Sequence, residues 1–135
     1  MADGLEELDA ATCWRLAGGV AVGRIGFQVD SRPMVLPVNH LGDAESIVFL
    51  TGEGAKWTAA VLRRPVVFEA DDWSPSHRSG WSVLVHGTAH AVTEGPRLER
   101  LSALDLEPWA GPDGRHHWIR IRPEAVTGRF VRSRS

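Results

Sequence analysis

The chain of 135 residues contains few of the residue types that define several protein classes. Its one cysteine, Cys13, cannot form an internal disulfide or a cysteine-based zinc site. No apolar run approaches the ~18 residues that a membrane span requires. The first residues are acidic and lead into no apolar stretch, so we expect no signal peptide. These absences predict a cytoplasmic protein with no membrane partner.

Positive charge is also limited, and it is unevenly distributed between the two basic residue types. The formal net charge is −2, without the basic excess that is usual in nucleic-acid-binding proteins, so we expect no nucleic-acid partner. Fourteen arginines account for every positive charge except that of the single lysine, Lys56. The length and the ordinary hydrophobic share of 43% predict one domain over residues 1–135.

The apolar pattern predicts a mainly β protein. Residues 5–17, with Asp3 as N-cap, 55–63 and 97–104 have helical spacing, whereas residues 71–80 are predicted to form a polar loop. Tight turns between most strands favour a small antiparallel barrel with peripheral helices over a doubly wound sheet. The predicted strands are 20–29, 34–41, 46–51, 65–70, 81–92, 117–121 and 126–131.

The segment TGEGAK, residues 51–56, has features of a phosphate site. A strand ends at Thr51, two glycines follow, and Lys56 lies in the first turn of a helix, where the dipole disfavours a cation. An anion would explain that placement, because a hydroxyl, a lysine and free helix N–H groups suit a phosphate. A simple glycine turn with an exposed lysine is the alternative. The spacing does not match the nucleoside-triphosphate P-loop.

Two further segments could contact a ligand. Pro37 interrupts a strand that continues to Asn39, so the backbone groups around it are available to a partner other than a strand. Trp81 and Ser82 place an aromatic ring and a hydroxyl at the start of another strand. The alternatives are a bent edge strand and a core tryptophan. The histidines have poor spacing for a metal, so we expect no metal site, and no motif supports a hydrolase.

Five segments occur in an order that resembles the pyridoxamine 5′-phosphate oxidase-like family of flavin-binding proteins. They are VLPVNH, IVFLTGEGAK, PVVFEAD, GWSVLVHGTAHAV and HWIRIRPEAVTGR, and they span nearly the whole chain. The resemblance implies a split antiparallel β-barrel of six to seven strands with about three short helices. It also implies FMN at the interface of a homodimer, and hydride or electron transfer through flavin N5 to a small-molecule substrate.

The resemblance also assigns cofactor contacts to four segments, and it places the loop that contains Trp109 on the substrate side. By this resemblance the flavin ring is lined by Val35, Pro37, Val38 and Asn39, and the phosphate is held by Thr51, Gly54 and Lys56. Further contacts come from Trp81 and Ser82, and the flavin of the partner subunit is reached by Trp118 and Arg120.

The segment 114–118, GRHHW, departs from the Arg-x-His-Asp-Arg-like run of true pyridoxamine phosphate oxidases. We therefore expect an oxidoreductase other than the vitamin B6 enzyme, with an unknown substrate and unknown catalytic residues. One alternative on the same fold is a deazaflavin-dependent reductase, with Arg63, Arg64 and Arg78 available for an acidic cofactor tail. Others are a non-catalytic flavin- or haem-binding protein and a dimeric barrel without a ligand.

Overall fold

Seven strands and three helices make up the described part of the chain, residues 4–104, 106 and 115–133 of a computed structural model. No helix among these residues has the length and apolar character needed to cross a bilayer. In chain order the elements are β1 (Leu5–Glu7), α1 (Ala10–Gly18), β2 (Val22–Val29), β3 (Arg32–Gly42), β4 (Ile47–Thr51), α2 (Ala55–Val61), β5 (Pro65–Ser74), β6 (Ser79–Val92), α3 (Gly95–Ser102) and β7 (His117–Arg132).

Six of the strands form a ring in which every neighbouring pair is antiparallel. The order is β7-β4-β3-β2-β5-β6, and the pairing of β6 with β7 closes the ring, while β1 joins β7 on its other side. The first part of β7 pairs with β4 and β6, and its last part pairs with β6 and β1. The predicted mainly β split barrel is therefore confirmed.

Alternation along the strands divides the side chains between two faces. One face fills the ring with the main core, and the other lies outside the ring, where α3 covers part of it. A second, smaller core lies under α3. The main core includes Ile25, Val38, Phe49, Phe68 and Ile119, and the second core consists of Val48, Leu101 and Trp118 with partly buried neighbours.

The prediction of a helix over residues 5–17 is wrong for its first residues, which form β1. Leu5 and Glu7 pair with Val131 and Arg129 of β7, a contact between distant parts of the chain that helical spacing cannot reveal. The helix begins after Asp9, whose carboxylate accepts a 2.8 Å hydrogen bond from the Thr12 amide. Asp9, rather than Asp3, is therefore the N-cap.

Two other boundaries differ from the prediction. Residues 71–80 are mostly strand, because β5 continues to Ser74 and β6 begins at Ser79, with only a short turn between them. The two strands predicted near the C-terminus form one strand, β7. Its pairing with β6 shifts between His86 and Gly87, so that Glu124 has no partner in the register. The bulge keeps the strand continuous past Pro123.

Candidate functional site

The ring is split between β3 and β4. These strands pair only through residues 40–42 of β3, and the end of β4, including Thr51, pairs with β7 alone. Residues 32–39 of β3 consequently have β2 on one side and no strand partner on the other within the described chain. Asn39 and Thr51 therefore flank the same opening, which brings together two of the predicted cofactor segments.

The predicted ring-lining residues of β3 divide between the two faces. Val38 is 1% exposed and belongs to the main core, so only its backbone can contact a ligand. Val35, Pro37 and Asn39 alternate with it and lie on the outer face. Pro37 occupies the stretch that is paired on one side only, opposite Arg24 of β2, as expected for a proline in a strand.

The predicted phosphate segment connects β4 to α2. Thr51 is 3% exposed, and Gly54 is the N-cap of α2 in an extended conformation, with no side-chain hydrogen bond at the cap. Because α2 has only seven residues, its dipole and its free amides contribute little alone. Anion binding here would therefore depend mainly on the side chains of Thr51 and Lys56.

Lys56 is half-buried in the first turn of α2. Burial lowers the pKa of its ammonium group, because the charged form loses solvation. Within the described ranges, no carboxylate forms an ion pair with Lys56. A half-buried ammonium without a counter-ion raises the free energy of the folded state, and a bound anion would offset that cost.

Next to Lys56, Trp57 stacks on His117 at the start of β7. The ring centroids are 3.9 Å apart and the planes differ by 11°. Nε2 of His117 is buried and has no hydrogen-bond partner among the described residues, and the nearest carboxylate oxygen, that of Glu53, is 3.8 Å away. Thr51 pairs directly with His117 in the sheet. The end of β4, the start of β7 and α2 thus form one cluster beside the split.

Trp81 and Ser82 lie at the other end of the ring from this cluster. They pair with β5 and with the last residues of β7, whereas β6 approaches the Thr51 side of the ring only near Ala91, about 30 Å along the strand. Trp81 packs against the main core and Ser82 lies on the outer face. One chain alone does not bring these two residues to the split, so their role in cofactor binding stays a prediction that requires a second subunit.

Trp118 and Arg120 lie on the face of β7 that points away from the main core. Trp118 is 6% exposed and packs under α3 with Val48 and Leu101. The Nε of Arg120 donates a 3.2 Å hydrogen bond to the Ser46 hydroxyl. Since His117 is on the opposite face of the same strand, the structure does not gather Trp118 and Arg120 with the cluster at the split.

The arginines considered for a deazaflavin tail are dispersed. Arg63 lies near His90, and Arg78 donates a 3.1 Å hydrogen bond to Ser133 at the β5–β6 turn. Arg64 lines a broad hollow of about 700 Å³ that also includes Val35 and His86. The fold therefore assembles no single basic groove from these three residues. The Trp109 loop lies outside the described residues.

Comparison with known proteins agrees with this architecture. The sequence family described as pyridoxamine 5′-phosphate oxidase matches residues 9–130, which is nearly the whole chain. The chain belongs to the pyridoxamine 5′-phosphate oxidase family. The resemblance found in the sequence is thereby confirmed.

Three relatives of this family member illustrate the range of similarity. The uncharacterized protein Rv0080 of Mycobacterium tuberculosis is 36% identical over 127 residues, which cover 90% of this chain and 82% of that protein. The FAD binding protein of Mycobacterium smegmatis is 36% identical, with a TM-score of 0.79 over 94% of this chain and all of that chain. A FAD-binding protein of Mesorhizobium loti is 22% identical, with a TM-score of 0.76 over 94% of this chain and 98% of that chain, and shows the fold alone.

Sequence reasoning missed the stacked pair of Trp57 and His117 in this pyridoxamine 5′-phosphate oxidase family member. In the sequence, His117 stands out only as the first residue of a predicted strand, since the spacing of the histidines does not suit a metal. The signal that could have found it is the alternation after it. Ile119 and Ile121 are core residues, so His117 shares their face and points toward the end of β4.

Proposed function

We propose that this member of the pyridoxamine 5′-phosphate oxidase family binds a flavin at the split between β3 and β4 and acts as a flavin-dependent oxidoreductase. The observation that carries the proposal is the half-buried Lys56 ammonium, which lies beside the split and has no counter-ion among the described residues. The FAD binding protein of Mycobacterium smegmatis, 36% identical to this chain, supports a flavin as the ligand.

In this proposal Lys56 and Thr51 hold the phosphate that FMN and FAD share. Each hydrogen bond to a charged group contributes about 1.5–3 kcal/mol, so the lysine and the hydroxyl together account for a substantial part of the affinity. Sequence reasoning favours FMN, whereas the Mycobacterium smegmatis relative is named for FAD. The proposed phosphate site accepts the riboflavin phosphate of either cofactor.

The ring of the flavin would lie along residues 35–39 of β3, where backbone groups on the unpaired side can bond its polar edge. Asn39 adds a side chain with both donor and acceptor atoms. When bound, the flavin supplies hydride or electron transfer, and the protein supplies position and electrostatics. The stack of Trp57 on His117 fixes α2 against β7 and so keeps Lys56 beside the opening.

We further propose that a second copy of the chain covers the outer face of the sheet. This face carries apolar side chains that are 39% exposed or more in the single chain, a surface that a soluble monomer rarely leaves uncovered. A homodimer would bury them and would bring Ser82 of the partner subunit within reach of the split. The exposed apolar residues on this face include Val22, Val35, Trp73, Leu84 and Val131.

The test is flavin binding by Lys56→Ala, measured as quenching of flavin fluorescence with FMN and with FAD. We expect the affinity to fall at least about tenfold, because one charge-assisted hydrogen bond is lost. Lys56→Arg should retain most of the affinity, and Arg15→Ala, which removes an exposed charge on α1, should change nothing. Unchanged flavin affinity in Lys56→Ala would show that the phosphate does not bind here.

The visible absorption spectrum of the cofactor that co-purifies separates a flavin from a deazaflavin and from haem. Release of that cofactor by denaturation and its chromatography against standards identifies FMN or FAD. Oxidation of a reduced cofactor by an added acceptor then tests for catalysis. A bound flavin that undergoes no turnover with any acceptor would identify a carrier rather than an enzyme.

A further inference from the structure

The outer face of β7 carries an open hollow of about 310 Å³ with a predominantly basic lining. Its basic residues come from three elements: His90 from β6, Arg97 from α3, and Arg120 and Arg122 from β7. Glu94 supplies the acidic group among the described lining residues. The fold therefore concentrates positive charge at one place in a chain whose formal net charge is −2.

Beside this hollow, the side-chain carboxylate of Asp43 forms ion pairs with two arginines. Oδ2 of Asp43 lies 2.9 Å from Nε of Arg97, and Oδ1 of Asp43 lies 2.7 Å from Nη2 of Arg100. One negative charge thus faces two guanidinium groups directly, and the same carboxylate is the acidic group that also favours the charged form of Arg120.

Arg120 and Arg122 form no direct ion pair with a carboxylate of the described residues. The Nε of Arg120 bonds the Ser46 hydroxyl, and its two Nη groups bond no described residue. Arg122 forms no ion pair with any described residue. Burial and the nearby charges of Arg97 and Arg122 lower the pKa of Arg120, and the charge of Asp43 opposes this shift only in part. Burial and the arginine charges around it also lower the pKa of His90. The groups are thus held close enough to repel one another.

We propose that this hollow binds an oxyanion, a phosphate or carboxylate group carried by a small molecule, between Arg97, Arg120 and Arg122. A guanidinium offers paired N–H donors in a plane, the geometry that matches two oxygens of such a group. The bound charge would offset the mutual repulsion of the arginines. Arg120 and Arg122 face away from Thr51 and His117, so this site is separate from the proposed flavin phosphate site.

In the decisive experiment, inorganic pyrophosphate is titrated into protein that carries Lys56→Gln, and binding is measured by isothermal titration calorimetry at low ionic strength. That background removes the lysine of α2, so the outcome does not depend on whether the flavin proposal holds. Two further variants are compared in the same background: Arg122→Gln, and Arg15→Gln as a control with the same net charge. Both arginines are exposed, and circular dichroism checks that each variant is folded.

We expect Arg122→Gln to weaken pyrophosphate binding about tenfold, since one charged contact is lost, and Arg15→Gln to leave it unchanged within about twofold. Arg120→Gln should weaken it as well, whereas Arg120→Lys should restore part of the affinity. Equal affinity in the Arg122→Gln and Arg15→Gln proteins would overturn the proposal, because binding would then follow net charge alone. Absence of binding in the Lys56→Gln protein would also overturn it.

The oxyanion could belong to a separate ligand or to the second phosphate of FAD, and the cofactor itself distinguishes these sources. If it belongs to FAD, Arg122→Gln in otherwise wild-type protein weakens FAD binding and leaves FMN binding unchanged. If it belongs to a separate ligand, neither cofactor is affected, and pyrophosphate still binds to protein saturated with FAD.

Discussion

Positive charge lies beside both faces of β7, in contrasting arrangements. On the inner face, His117 stacks on Trp57 beside Lys56, a single ammonium that is half-buried and has no counter-ion among the described residues. On the outer face, Arg120 and Arg122 join Arg97 of α3 around an open hollow. The proposed inner site depends on the one lysine of the short helix α2, and the proposed outer site depends on three guanidinium groups.

This difference shows how one strand can border the two proposed anion sites and keep them separate. Successive side chains point to opposite faces, so the separation needs no insertion or extra element. The bulge at Glu124 then reverses the alternation: Ile119 and Ile121 fill the main core before it, and Val126 and Gly128 lie on the core side after it. The division between the faces therefore depends on the register at the bulge.

Gly87→Ala should have the largest effect on the division between the two faces of β7, because Gly87 lies opposite the bulge. A Cβ at this position would collide with the carbonyl oxygen of Arg122 and approach Cα of Pro123 to 3.1 Å, and backbone atoms cannot move aside cheaply. We expect a loss of about 3 kcal/mol in the free energy of unfolding, measured by urea denaturation. Pyrophosphate binding should weaken too, because Arg122 would be displaced.

Gly54→Ser is the matched control for this prediction. Nothing lies within 4 Å of a Cβ built at Gly54, and serine is a favourable N-cap for α2. Its free energy of unfolding should change by less than about 0.5 kcal/mol. If Gly87→Ala were as stable as this control, the close packing at the bulge would contribute nothing measurable to the free energy of unfolding.

Much of the fold could be predicted, because turns and alternation are local signals. The positions at which the prediction was wrong depend on contacts between residues that are distant in sequence. Leu5 and Leu8 fit helical spacing, and only pairing with β7 makes Leu5–Glu7 a strand. Pro123 is typical of a strand end, and only the bulge opposite Gly87 keeps β7 continuous.

Of the two candidate sites, one has a signal in the sequence and the other depends on contacts that form only in the fold. Lys56 attracts notice in the sequence because it is the only lysine, and the structure places it beside the split with Asn39 and Thr51. The arginines of the outer hollow cannot be recognised from the sequence. Arginine is the common basic residue in this chain, and α3 and β7 bring Arg97 and Arg122 together only in the folded state.

Asp43→Asn should have an intermediate effect, because it removes the carboxylate that pairs with Arg97 and Arg100 on the outer face. Although burial opposes ionisation, the hydrogen bonds and charges of Arg100 and Arg97 outweigh it and lower the pKa of Asp43. A depressed pKa in the folded state stabilises the protein above the ordinary value of 3.8, and this contribution is lost as the pH falls through the folded value. We expect a loss of about 1–2 kcal/mol at pH 7.

The pH dependence distinguishes this contribution from a general packing effect. The stability difference between Asp43→Asn and wild type should shrink as acid protonates the wild-type carboxyl below pH 3.8. Glu45→Gln, an exposed change of equal charge two residues away, is the control and should be nearly neutral. A difference that stays constant down to the lowest pH would contradict the role given to the Asp43 charge.

The smallest expected effect is that of Glu69→Gln. It tests a carboxyl group whose pKa is raised in the folded state, whereas that of Asp43 is lowered. On the outer face of β5, burial and the neighbouring Asp71 raise the pKa of Glu69 to about 7, against the opposing charge of Arg24, whose Nη1 lies 3.3 Å away. A raised pKa means that the folded state binds its proton more tightly than the unfolded state. The contribution is fully present below pH 4.5 and is lost as the pH rises through about 7.

Wild type should therefore lose stability relative to Glu69→Gln between pH 5 and pH 8, by no more than about 1 kcal/mol because solvent screens these partly exposed groups. The measurement is urea denaturation across that pH range at one fixed protein concentration, since a proposed dimer makes stability depend on concentration. Asp72→Gln, an exposed change of the same charge on the same strand, is the control. If both variants follow wild type at every pH, crowding of carboxylates has no measurable effect here.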